Sequence, residues 1–165
     1  MMQAVAVFNH LIQGVVTFTQ QVNSNVVFVS GQLSGFKYYM TGQPHSKHGM
    51  HIHSSGDLRR DCESACDHFN PFNQPHGDLN DKNSHAGDLG NIVVDKKGHS
   101  SFSFKTTKIS LHDPMKNIIG RTLIIHSDED DLGKGRHTDS STTGHSGQRM
   151  ACAIIGISEE TCHNH

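Results

Sequence analysis

The feature that most restricts the fold is a series of short β-type runs punctuated by turn residues. "AVAVF" (4–8), "VVTFTQ" (15–20), "NVVFVSGQL" (25–33), "HGMHIH" (48–53), "NIVVD" (91–95), "SFSFK" (101–105), "RTLIIH" (121–126) and "ACAIIGI" (151–157) make eight. "SFSFK" alternates with Phe102 and Phe104 on one face, and "TFT" alternates around Phe18. "DKKG" (95–98) reads as a hairpin turn between two runs. No window carries a helical period over about ten residues. Eight such strands in 165 residues predict an all-β fold, an antiparallel sandwich or barrel. A hydrophobic content of 33% without tryptophan agrees with a thin-cored, loop-rich domain.

Two long segments interrupt the strands. Residues 54–90 hold Pro71, Pro75 and many Asn, Asp, His and Gly, and residues 127–149 read "SDEDDLGKGRHTDSSTTGHSGQR". Loops this long inside a compact domain are functional or disordered. No repeat or linker divides the chain, so one domain over residues 1–165 is expected. The formal net charge of −2 gives no reason to expect nucleic acid or an anionic membrane surface. "MMQAVAVFNHLIQGVV" lacks the basic and apolar regions of a signal peptide, and no stretch has the length of a membrane span, so the cytoplasm is the expected compartment. Cys62, Cys66, Cys152 and Cys162 are too few for a disulfide scaffold, and a reducing cytosol would keep them as thiols.

Histidine is the compositional anomaly: 15 His against 14 Lys plus Arg. In "GMHIHSSGD" (49–57), His51 and His53 share one strand face while Ile52 points to the other. They sit roughly 7 Å apart along the strand. A polar solvent-facing edge and a metal bound outside the β-structure both remain open for this pair. His126, at the end of another run, makes three imidazoles with little sulfur nearby, a set that suits copper or zinc. The first long loop adds His68, His76, His85 and Asp88, enough for a closed tetrahedral zinc site if the loop folds around the ion. A polar loop that happens to hold histidines is the alternative.

Together, "GMHIHSSGD", "HFNPFNQPHG" (68–77), "HAGDLGN" (85–91), "IIGRTLIIH" (118–126), "DDLGKG" (130–135) and "GQRMACAIIGI" (147–157) resemble the copper,zinc superoxide dismutases, in that family's order and spacing. The resemblance covers nearly the whole chain. It implies an eight-stranded antiparallel Greek-key β-barrel, an immunoglobulin-like sandwich architecture, with residues 54–90 as metal loop and 127–149 as electrostatic loop. It implies copper held by His51, His53, His68 and His126, and zinc held by His68, His76, His85 and Asp88, with His68 bridging the two. Asp130 would link His51 to His76, as outer carboxylates do to fix ring orientation. Arg149 would guide and hold the superoxide anion, and Cys62–Cys152 would be a disulfide, overriding the cytosolic default.

The implied activity is disproportionation of superoxide to O₂ and hydrogen peroxide, an antioxidant function. The implied partners are a second copy, as a homodimer, and optionally a copper chaperone. The alternative, a non-catalytic homologue that binds metal or assists copper traffic on the same fold, would be favoured by loss of a copper ligand or of the arginine, and neither is missing.

Some positions depart from the family pattern. Ser55 stands where many members carry an aromatic residue near their dimer contact, while "IIGI" (154–157) keeps the other part of it. Thr138 and Thr142 replace a usual glutamate and lysine, Asp139 keeps a neighbouring acid, and Arg136 and His137 add positive character. Cys66 occupies a position commonly held by glycine. It and Cys162 are expected as free thiols. Phe36 and Leu111 fall where the family closes the barrel ends. His48 is expected to be structural, and His10, His45, His99, His112, His137, His145, His163 and His165 mostly solvated.

Overall fold

The computed structural model describes residues 1–37 and 46–162. All eight expected strands form: β1 (Met2–Asn9), β2 (Gln13–Gln20), β3 (Val27–Ser34), β4 (Lys47–His53), β6 (Asp88–Val93), β7 (Ser100–Thr106), β8 (Thr122–His126) and β9 (Arg149–Ile157). A ninth, β5 (Arg59–Cys62), is a short segment within the first long loop. Helix is confined to single turns among the described residues, α1 (Ser140–Thr143) and α2 (Glu159–Cys162) and a 3₁₀ turn at Glu63–Ala65.

The eight strands make one antiparallel sheet in the order β6-β4-β8-β9-β1-β2-β3-β7, rolled into a nearly closed Greek-key barrel. β9 joins its halves, pairing β8 through Arg149–Ile154 and β1 through Ile155–Ile157. The "DKKG" turn forms, with Gly98 N–H donating to the Asp95 carbonyl at 3.0 Å. It connects β6 and β7, the two ends of the sheet order.

Strand alternation decides what faces inward. Ala4, Val16, Phe18, Val29, Met50, Ile52, Leu123, Ile125 and Ile155 are fully buried in one core. Each large side chain of this kind contributes about 1.5–3 kcal/mol by leaving water. Because Met50 and Ile52 fill the inside, His51 and His53 must stand on the outer face of β4. Because Leu123 and Ile125 fill the inside, His126 stands outside β8. The expected core residues Phe36 and Leu111 are both buried.

Cys62 on β5 and Cys152 on β9, 90 positions apart in sequence, form a disulfide with Cα atoms 5.6 Å apart. Cys66 and Cys162 are free and exposed. Closing so long a loop is worth about 4–5 kcal/mol on the chain-entropy account. Cys62→Ser is therefore expected to lower unfolding stability by up to that amount in denaturant titrations. Peptide mapping of the oxidised protein should recover Cys62–Cys152, and a dominant Cys62–Cys66 pair would contradict this arrangement.

Candidate metal centre

Register brings the outer-face residues together. In the ladders His51 lies opposite Asp88 of β6, and His126 lies opposite Arg149 of β9. An isolated bridge pairs His53 with His68 of the first long loop. The bulges at Gly49/His51 and at Ile125/His126 re-aim the ring-bearing residues where the ladders are interrupted. The two long loops then cover this face, so that His51, His53, His68, His76, His85, His126, Asp88 and Asp130 are all buried although they lie outside the barrel.

The rings sort into two sets. His51, His53, His68 and His126 each offer a donor atom, all within 4.8 Å of one another, and His53 Nε2 lies 3.4 Å from His126 Nε2. On the other side Asp88 Oδ1 is approached by Nδ1 of His68 at 2.9 Å, of His76 at 3.0 Å and of His85 at 3.1 Å. His51, His68, His76 and Asp88 also bring donor atoms within 4.8 Å. His51 and His68 belong to both groups, but only His68 turns Nδ1 to Asp88 and keeps Nε2 unpaired, whereas His51 gives its Nε2 to Asp130.

Three nitrogens test whether the cage fits metal ions. His51 Nδ1, His68 Nε2 and His76 Nδ1 are buried without a hydrogen-bond partner. His76 Nδ1 is close to Asp88 Oδ1 but lacks the alignment of a hydrogen bond. Buried imidazole nitrogens left unpaired in this way are costly unless a cation takes their lone pairs. The residues present fit two ions.

Outer partners hold the rings. Asp130 spans the sets, with Oδ2 at 2.7 Å from His51 Nε2 and Oδ1 at 2.7 Å from His76 Nε2. That leaves the Nδ1 atom of each ring for an ion. Asn91 fixes Asp130 in turn, its Oδ1 accepting the Asp130 N–H and its Nδ2 donating to the Asp130 carbonyl. Gly144, with φ of 70°, passes directly over this link, and a Cβ there would strike both Asp130 Oδ1 and His76 Nε2. His48 is buried with both ring nitrogens engaged, by Ser46 Oγ at 2.7 Å and by the His126 carbonyl at 2.8 Å, so its role is structural.

The electrostatics suit cation capture. Burial first, and then neighbouring His51, holds His68 down at about 3 and His126 at about 2. Burial pushes Asp88 and Asp130 up, but hydrogen bonds from the surrounding histidines outweigh it and keep both carboxyls well below the usual range. His76 is the exception. Burial pulls it down, yet Asp130 and Asp88 outweigh that and hold it at about 9, so an ion taking Nδ1 must displace a proton.

Arg149 stands at the edge of the first set. Its Nη1 donates to the Cys62 carbonyl at 2.8 Å and the Glu63 carbonyl at 3.3 Å, and its Nη2 to the Cys66 carbonyl at 2.6 Å. The same Cys66 carbonyl accepts from His53 Nδ1 at 2.7 Å. Cys66 has φ of 64° and ψ of −158°, a conformation open to glycine but strained by about 1–3 kcal/mol in other residues. A cleft of about 750 Å³ reaches His53, His68 and His126, with Arg149, Asp139 and Thr142 on its walls.

All the residues singled out in the sequence as metal ligands therefore meet in one place, with Asp130 and Arg149 beside them. Asn91, Gly144 and the Cys66 carbonyl were not foreseen as supports. Asn91 closes the quoted "HAGDLGN", but nothing local shows its reach across to Asp130. Two overlapping histidine compartments, laid on the outside of a Greek-key barrel, define a bimetallic β-barrel protein with an anion-accessible face.

Comparison with known proteins narrows this class. The model of the family described as Copper/zinc superoxide dismutase (SODC) matches residues 12–155. The Cu-Zn superoxide dismutase of Paramecium bursaria Chlorella virus 1 is 44% identical over 157 residues, covering 95% of this chain and 79% of that protein. Cu-Zn superoxide dismutase 5 of Dictyostelium discoideum is 42% identical over 148 residues, covering 90% and 92%. The crystal structure of the clock protein EA4 matches with a TM-score of 0.86 and 42% identity over 95% of each chain. The chain belongs to the copper,zinc superoxide dismutase family. Its reaction is superoxide dismutation and its cofactors are copper and zinc.

Proposed function

We propose that the chain performs this reaction with His51, His53, His68 and His126 holding copper, and His68, His76, His85 and Asp88 holding zinc. The observation that carries the assignment is the position of His68, whose Nδ1 faces Asp88 and His85 while Nε2 is left unpaired toward the other set. Copper held there would supply the one-electron couple the reaction needs, and zinc, which has no redox chemistry, would hold the geometry.

The protein's own groups do the rest. Arg149 draws the anion into the cleft and holds it beside His53 and His126, all three on the cleft wall. His68 takes up a proton at Nε2 and passes it to the departing peroxide, the second proton coming from solvent. Asp130 keeps His51 and His76 in the tautomer that presents Nδ1. The Cys66 carbonyl does the same for His53, leaving Nε2 as its donor.

One domain over residues 1–165 is part of the proposal, as is a cytoplasmic location, that of the host if the chain is viral. Among the described residues no helix is long and apolar enough to cross a membrane. His45, His163 and His165 lie outside the described residues.

A homodimer is supported by the exposure of Ile154 (46%) and Ile157 (49%) on β9. Ile154 pairs with Thr122, whose hydroxyl donates to the Ser55 carbonyl at 2.7 Å. Ser55 and Ile154, one from each part of the family's contact, are thus linked through Thr122, which supports the reading. Sedimentation should show a dimer for the unaltered chain and a monomer for Ile154→Asp. A monomer for both removes the dimer.

"GQRMAC" (147–152) has no proline before Cys152, and copper loading without a chaperone is proposed on that ground. Protein expressed in cells lacking the chaperone is expected to carry one copper and one zinc per subunit and to consume superoxide. Copper-loaded but inactive protein would favour a non-catalytic metal binder. An inactive, reduced product rescued by the chaperone would instead make that partner a requirement.

A further inference from the structure

A second cleft, of about 720 Å³, opens beside the segment Leu79–Ala86 of the first long loop and the stretch Lys105–Lys108 that ends β7. None of the proposed metal ligands, Asp130 or Arg149 lines it, and Gln74 is the one residue it shares with the copper-side cleft. Its volume falls within the usual range for small-molecule sites, roughly 300–1,000 Å³.

Its walls combine charge with apolar surface. Lys82, Lys105, Lys108 and Lys116 line it against a single carboxylate, Asp81. A chain with 14 Lys plus Arg and a formal net charge of −2 thus concentrates four lysines around one cavity. Two of them have structural work. Lys108 donates to the carbonyls of Asp81 at 2.5 Å and Asp78 at 3.4 Å and to Ser84 Oγ, and Lys116 donates to the Thr107 carbonyl at 3.1 Å. Carbonyls and hydroxyls do not neutralise an ammonium. The side chains of Lys82 and Lys105 are exposed and bond nothing among the described residues. Asp81 uses its Oδ2 to accept the Asp78 N–H. Beside this excess charge, Phe72 is 47% exposed, with Leu79, Val26 and Ala86 continuing the apolar wall.

We infer that this cleft binds a small amphipathic organic anion. Its apolar body lies against Phe72 and Leu79, and its carboxylate or phosphate sits between Lys82 and Lys105. Such an occupant relieves the mutual repulsion of the lysines and covers the exposed ring, which water or an inorganic ion alone does not. The same head group is carried by free small molecules and by anionic lipids, and the two sources are separated by titrating a soluble probe and lipid vesicles side by side.

The probe is 8-anilinonaphthalene-1-sulfonate, titrated by fluorescence into the metal-loaded protein. One molecule should bind per chain, displaced by an alkyl phosphate of short chain. Lys82→Glu/Lys105→Glu should weaken binding at least about tenfold, since each reversed charge changes the interaction by roughly 1 kcal/mol or more at contact distances. Phe72→Ser should weaken it as well, and superoxide consumption should be unchanged in both variants. Probe binding untouched by either variant overturns the site. Displacement by inorganic phosphate with no effect of Phe72→Ser reduces it to a bare anion site and overturns the organic ligand. Binding to phosphatidylserine vesicles without binding of the soluble probe overturns the small-molecule occupant.

Discussion

Replacing His68 with alanine is expected to abolish superoxide consumption, by at least about 10²-fold, and to disturb both metal sites at once. The reason is geometric. His68 Nδ1 is 2.9 Å from Asp88 Oδ1 and 3.3 Å from His85 Nδ1, while Nε2 is buried without a partner on the side of His51, His53 and His126. Removing the ring takes one donor from each set and the proton carrier from the reaction. His85→Ala is the control, because His85 approaches only the Asp88 side. It should lower zinc content and leave the Cu(II) spectrum close to that of the parent. The two variants, compared by metal content and visible spectroscopy of the Cu(II) form, separate a shared ring from a purely zinc-side one. An unchanged copper spectrum in His68→Ala would end the case for a bridge. Circular dichroism should show that both variants keep the barrel, since neither substitution alters a core residue.

Arg149→Glu is expected to lower the second-order rate constant by about 10–10³-fold with metal content intact. Superoxide dismutases are themselves a reference case for such steering and for rates near the diffusion limit, so the magnitude is inherited from the class. What this structure adds is how the guanidinium is held. Three backbone carbonyls, of Cys62, Glu63 and Cys66, take its donors, and its backbone lies opposite His126 in the ladder. Arg149 therefore has a second possible role, pinning the disulfide-bearing segment to β9. Arg149→Lys distinguishes the two, because lysine keeps the charge and loses the fork. A charge-steering role leaves Arg149→Lys well above Arg149→Glu. A pinning role makes the two nearly equal. Lys134, exposed on the same loop and outside the cleft lining, should matter less, and the effect of Lys134→Glu should shrink as salt rises. Wild-type rates in a fully metallated Arg149→Glu protein would remove Arg149 from the mechanism.

The fold class was legible because its signals are local. Alternation in "SFSFK" and around Phe18, and turn residues such as those of "DKKG", depend on neighbours in sequence. Strand β5 was missed because "RRDC" is short and fully polar apart from its cysteine, and it is placed by the disulfide to Cys152. Cys66 shows the limit from the other side. As a sequence position it was only a departure from glycine, whereas the structure shows a left-handed backbone whose carbonyl serves both His53 and Arg149.

By itself the sequence determined the β-architecture and placed His51 and His53 on one strand face with Ile52 turned the other way, toward the core. Those follow from a period of two residues and the free energy of burying apolar side chains. Only the tertiary structure decided that the outward face is buried, that Asp88 lies opposite His51, and that Asn91 clamps Asp130 from 39 residues away. Register between strands distant in sequence, and the path of two long loops across them, are set by packing of the whole barrel rather than by any local preference.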